Sequence, residues 1–247
     1  MKNLIHAELL KLQTTRAFWA YIAFALAFVP VSIALTMTVS NDGLLLDSSE
    51  GITAVFSAAS AGGLLLLLLG ITMMAGEFRH NTATPTFLIT PDRRRVIAAK
   101  LAAGSVVGVL ATAVSSLLTL AIALPWLAAR DIDVSLLSTD VGAPILGGLI
   151  GTGLMTAFGI GLGAVMPNQT LAITVVVVWS TTVEALLINV VPEVGRWLPM
   201  GAASALSGTW SAEEGLLPFW SAGLVLTGYT LALAAAGTNL VTRREIT

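Results

Sequence analysis

Cysteine is absent from this chain. That absence excludes a disulfide framework, a thiolate metal site and a cysteine nucleophile together. Charge is scarce as well: 11% of residues are Asp, Glu, Lys or Arg, where a soluble globule carries about a quarter. The two histidines, His6 and His80, do not form an HExxH arrangement, so a catalytic zinc site lacks its ligands. There is no GxSxG nucleophile turn and no GxxxxGK[ST] phosphate loop, which removes that route to nucleotide binding. No two aspartates fall inside the apolar stretches, so an intramembrane aspartyl pair has no candidates. The chain itself is therefore expected not to be an enzyme and to hold no cofactor.

Apolar sequence fills the space that charge leaves. Of 247 residues 56% are hydrophobic, and the mean hydropathy is +0.89. Uncharged apolar runs of about 20 residues mark transmembrane helices, because each residue rises about 1.5 Å and the hydrocarbon core is about 30 Å thick. Six such runs are expected: Ala17 to Val39, Ile52 to Gly76, Ala98 to Leu127, Ala143 to Met166, Thr170 to Val191 and Phe219 to Val241. The fourth and fifth are separated by Pro167, Asn168 and Gln169, a tight turn that ends one helix and starts the next. Mostly polar residues precede the first run, which is long enough to span, so that run reads as a permanent span rather than a cleaved signal. The expected class is all-α integral membrane, a single domain over residues 1–247.

The cations are placed unevenly. Ten of the Lys and Arg residues fall before the first run, between the second run and the first turn of the third (which holds Lys100), or after the sixth, and only Arg130 and Arg196 fall on the other side. By the positive-inside rule both termini and the segment from Glu77 to Lys100 are expected in the cytoplasm. That segment carries five cations against Glu77 and Asp92, a net +3 in a chain of net −2. Trp19, Trp126 and Trp220 sit at span ends, as interfacial rings do, while Trp179 is mid-span and reads as a packing residue.

The leader from Met1 to Arg16 sets Ile5, Leu9 and Leu12 at helical spacing, with Glu8 and Lys11 three apart and able to pair. It is expected to lie as a short helix on the inner leaflet. Between the fifth and sixth runs, 192–218 is too apolar for an open loop, too short to span and punctuated by Pro192, Pro199 and Pro218, which reads as a re-entrant or interfacial segment. Gly147 with Gly151, and Gly159 with Gly163, form two GxxxG steps on the fourth run and imply close helix packing.

Glu184 is the one ionisable residue well inside a run. A charge at that depth costs about 2.5 kcal/mol or more. Two readings stand: it lines a substrate path, or it lies near enough to the outer surface to be hydrated. Thr181 and Thr182 are within reach of its carboxylate in either case. Within the basic segment, Thr84, Phe87 and Leu88 fit a short, partly apolar helix with Pro85 in its first turn. Thr90, Pro91 and Asp92 break it and cap the next helix, whose Arg94 and Arg95 suit lipid phosphates.

The ordered set of features, GEFRHNTATPTFLITPDRRRVIAAK after the second run, AELLKLQTTRAFW at the start and the proline-punctuated outer segment, resembles the ABC-2 type transporter permeases over essentially the whole chain. The resemblance implies the membrane subunit of a bacterial plasma-membrane exporter. Two permease copies, identical or not, would pair above two separate ATPase subunits, which bind the ATP and Mg. The loop 77–97 would form a coupling helix seated in the ATPase, with Glu77, Arg79, Thr82, Thr84, Phe87, Leu88 and Pro91 at the matching positions. Membrane lipids are the other expected partner and nucleic acid is not one. An ion-coupled secondary transporter and a non-transporting anchor subunit are the alternatives. The former is disfavoured because only one intramembrane carboxylate is present and no interruption is evident in the first half.

Overall fold

The computed structural model describes residues 1–39, 46–80, 82, 92–208 and 217–243. Among these residues there are helices and no strand. Six helical segments are long and apolar enough to cross a membrane: Arg16–Thr38, Ser49–Arg79, Arg93–Ala128, Thr139–Val165, Gln169–Val190 and Phe219–Val241. Every one overlaps a run expected from hydropathy.

The elements are a leader helix α1 (Lys2–Gln13), then α2 (Arg16–Val39), α3 (Ser49–Ser57), α4 (Gly63–Arg79), α5 (Arg93–Ala128) and α6 (Thr139–Val165). The chain continues through α7 (Gln169–Val178), α8 (Ala185–Val190), α9 (Pro192–Gly195), α10 (Pro199–Ser207) and α11 (Phe219–Arg243). The starts of α5 and α7 follow from local chemistry. The Asp92 carboxylate accepts from the Arg95 backbone N–H at 3.3 Å, and the Asn168 side chain accepts from that of Leu171 at 3.1 Å. Each satisfies one of the amides that a helix start leaves unpaired.

The second span departs from expectation. It is not one helix from Ile52 to Gly76 but α3, a 3-10 turn at Ala58–Ser60, and α4. Small residues make the break possible. The Ser57 and Ser60 hydroxyls donate to the carbonyls of Ala54 and Ser57, both at 2.8 Å. At Gly62 a Cβ would stand 2.6 Å from the Cβ of Ala25, so the break lies flush against α2. Irregular backbone at membrane depth is tolerated where protein or a cavity covers it.

Helix α6 is the centre of the bundle, packed against α4, α5, α11, α10 and α3. Its contact with α4 runs backbone on backbone. A Cβ at Gly159 would lie 2.1 Å from the Leu67 carbonyl oxygen, and one at Gly163 would lie 2.8 Å from that of Ile71. The relation is reciprocal, since a Cβ at Gly70 would meet the Thr156 carbonyl oxygen at 2.1 Å. Higher on α6, Gly147 abuts the Leu206 carbonyl of α10, where a Cβ would be 1.7 Å away. The two expected GxxxG steps thus serve two different partners.

Candidate functional site

At the end of the bundle where α1, the C-terminus of α4 and the N-terminus of α5 meet, four charged side chains form one cluster. The Lys100 ammonium, 1% exposed, lies 2.9 Å from Glu77 Oε1, whose side chain is 5% exposed. Lys100 also pairs with Glu8, and Lys11 pairs with Glu77. The expected pair within the leader, Glu8 with Lys11, is replaced by pairs to other helices. The physical reason is burial: Glu77 and Lys100 are withdrawn from water, where an uncompensated charge is costly, so Lys11 and Glu8 serve as their counter-charges instead of pairing with each other. The leader does not merely rest on lipid, because Leu12 is buried in a cluster with Leu69, Met73, Val96 and Ile97.

Glu77 turns into the protein, its side chain 5% exposed and paired with both Lys100 and Lys11. Arg79 and Thr82 are exposed, and the Thr82 N–H donates back to the Glu77 carbonyl at 3.0 Å. Thr84, Phe87, Leu88 and Pro91 lie outside the described residues. Beyond the loop, Arg93 donates to the Val241 carbonyl at 2.6 Å, a last-turn acceptor of α11 that the helix itself leaves free. Arg94 and Arg95 are exposed, with Arg95 paired to Asp92 at 2.9 Å. Sequence reading missed the partnership of Glu8, Lys11 and Lys100. Its one available signal was a lysine set a full two turns inside an apolar helix.

Glu184 is withdrawn from solvent, which excludes the hydrated reading made of it, and it sits at the edge of a cavity. It ends a π-helical stretch, Trp179–Glu184, and is 1% exposed. Its Oε1 accepts from the backbone N–H groups of Met200 at 2.5 Å and Gly201 at 3.3 Å. The carboxylate therefore caps the N-terminus of α10, where unpaired amides and the helix dipole favour a negative charge. Thr181 donates to the Val177 carbonyl at 2.7 Å and stands exposed, so it does not bond Glu184. Trp179 is 45% exposed and is not the packing residue expected of it. Glu184→Ala is expected to raise deuterium uptake over 198–207, with little change in α5, because bonds to a charged group contribute about 1.5–3 kcal/mol. Hydrogen exchange followed by peptide mass spectrometry checks this.

Two cavities adjoin along α6. One, of about 200 Å³, opens beside the break in the second span and is lined by Ser57, Ser60, Thr152 and Ser207 among others. The second, of about 210 Å³, is apolar, with Phe158, Val176 and Trp179 in its wall and Glu184 at its edge. Met155 and Met200 line both. Volumes of this order, taken together, reach the range of small-molecule sites, about 300–1,000 Å³. Among the described residues no three His, Asp or Glu gather to hold a metal ion.

No family model matches this chain, and no curated protein matches it.

Proposed function

We propose that the chain is the membrane-spanning permease subunit of an ATP-driven exporter, with its ends and the loop 80–92 facing the cytoplasm of a bacterial cell. ATP and Mg belong to separate ATPase subunits, two of which seat beneath a pair of permeases. The sequence resemblance suggests the class, and the uneven cations suggest the orientation. The observation that carries the mechanism is the ion pair between Glu77 and Lys100 at 2.9 Å. One partner precedes the loop and the other follows it, so the loop is clamped at its base. A push on the loop is then delivered to α4 and α5 together. From α4 it passes to α6, which meets it without intervening side chains at Gly70 and Gly159. Close-packed helices shift as rigid bodies and do not deform continuously. The outer segment enters as α10, held by Glu184 against the cavities, in keeping with a re-entrant element.

Replacing Phe87 and Leu88 together by aspartate tests the docking assignment. The variant is expected to insert in the membrane at normal yield and to lose the ATPase that co-purifies with the wild-type chain in mild detergent. Undiminished co-purification would sink the assignment of these residues.

The break in the second span favours a second reading, ion-coupled transport. Interrupted helices near the midplane are the usual sites of coupling ions, and the π stretch of the fifth span adds a second irregular segment. Uptake driven by an ion gradient in vesicles without nucleotide would support it.

A further inference from the structure

Two carboxylates are buried among the described residues, and their surroundings differ. Glu77 is paired with two lysines. Glu184 has hydrogen-bond donors instead: the amides of Met200 and Gly201, and the Trp179 side chain. Among the described residues no lysine or arginine forms an ion pair with it. Buried charges are ordinarily paired. A carboxylate offers about four lone-pair sites, so three bonds leave room for a further partner.

The way in is the apolar cavity of about 210 Å³ that Glu184 edges. The π-helical stretch explains the placement. In an α-helix, residues five apart point to different sides. The wider winding of i→i+5 bonding returns them to one side, and Trp179 and Glu184, the first and last residues of the stretch, both line the cavity. Phe158 adds a second aromatic ring, and Ser180 is the one further polar side chain in the wall. Val175 and Trp179 are lining residues that are also exposed, so the cavity has its mouth on the flank of the fifth span.

Such a lining selects by charge. An anion would be repelled by the carboxylate, and no cation in the wall offsets the repulsion. A neutral group would fill the space and leave Glu184 without a counter-charge. A cation supplies that counter-charge and meets aromatic faces that attract it. A primary ammonium brings three N–H donors, more than Glu184 and Ser180 can satisfy. A tertiary one brings a single donor and a quaternary one none.

We infer that the cavity beside Glu184 binds a hydrophobic organic cation, a quaternary or tertiary ammonium whose charge lies against the carboxylate and whose apolar groups lie against Phe158, Val176 and Trp179. As binding, this holds whether or not an ATPase drives the chain; as the cargo class of an exporter, it rests on the permease reading.

Three probes with one phenyl ring and a compact tetrahedral head test it: phenyltrimethylammonium, 2-phenyl-2-propanol and benzenesulfonate. The heads are cationic, neutral and anionic. Isothermal titration calorimetry of the full chain in a non-ionic detergent, corrected by titration into empty micelles, is expected to show one phenyltrimethylammonium per chain. It should bind roughly tenfold more tightly than the alcohol, and the sulfonate should not bind. Glu184→Gln keeps the side-chain length and an oxygen for the α10 amides, and should bring the cation down to the affinity of the alcohol. Glu193→Gln, a change to an exposed carboxylate outside the cavity, should leave all three unchanged. Equal affinity for cation and alcohol in the wild-type protein would overturn the proposal, and that comparison needs no variant to fold. So would a cation preference that survives Glu184→Gln. Either failure leaves the ATPase reading standing, since co-purification of the ATPase does not depend on this cavity.

Discussion

Gly159→Val is expected to leave almost none of the protein folded in the membrane. A Cβ at this position would stand 2.1 Å from the Leu67 carbonyl oxygen and 3.1 Å from the Ile71 nitrogen. Both obstacles are backbone of a neighbouring helix, so no side chain can rotate away. Relief requires α4 and α6 to separate by more than an ångström. That movement would also open Gly70 against Thr156 and Gly163 against Ile71, because the three contacts form one seam. Water offers no help, since apolar helices in lipid associate through packing and not through the hydrophobic effect. Overpacking costs about 1–3 kcal/mol where neighbours can adjust, and the upper end or beyond is expected here. Gly159→Ala should already lower the thermal midpoint of the detergent-solubilised protein. Gly142→Ala and Gly228→Ala, where a Cβ meets nothing within 4 Å, should be neutral or stabilise by up to about 1 kcal/mol through helix propensity. A wild-type midpoint for Gly159→Ala would mean that the two backbones do not touch.

Lys100→Met carries the second large effect. The methionine has nearly the shape of the lysine stem, so packing around Val96 and Ile97 is kept and only the charge goes. Glu77, with a side chain 5% exposed, is then left with Lys11, which is 41% exposed, and Glu8, 12% exposed, loses its ion pair. Removing one partner of a buried ion pair costs about 3–5 kcal/mol, because the remaining charge has no counter-ion. The triple variant Lys100→Met, Glu77→Gln and Glu8→Gln should recover much of that loss, since neutral amides are far cheaper to bury. Added salt should restore little, because the site is withdrawn from the solution. Thermal unfolding of the three proteins (wild type, Lys100→Met and the triple variant), at low and high ionic strength, checks the sequence of midpoints. If Lys100→Met alone matched wild type, the cluster would not hold the leader to the bundle.

What was legible in the chain was whatever depends on composition and spacing. The six spans follow from uncharged length, the cap at Asp92 and the turn at Asn168 from residue type, and the packing role of Gly147, Gly151, Gly159 and Gly163 from their four-residue steps. What was hidden depends on partners distant in sequence. Lys100 lies 92 residues from Glu8, and no local pattern joins them. Glu184 looked like a charge in search of a partner because its partners are backbone amides of Met200 and Gly201, which sequence does not display. The break in the second span had a local mark, Gly62-Gly63 beside Ser57 and Ser60, but a hydropathy window averages such residues into one apolar run. The π stretch from Trp179 to Glu184 left no comparable mark.

In the proposed mechanism Thr84, Phe87, Leu88 and Pro91, which lie outside the described residues, are the contact between the ATPase and the clamp at Glu77 and Lys100. The direct measurement is therefore made on the wild-type chain: purification from its native membrane in mild detergent, reconstitution in vesicles and comparison of the two energy sources. The ATPase reading predicts a stoichiometric nucleotide-hydrolysing subunit in the purified material and transport that requires ATP with Mg. Recovery of this chain alone, transporting under an ion gradient with no nucleotide present, would contradict it.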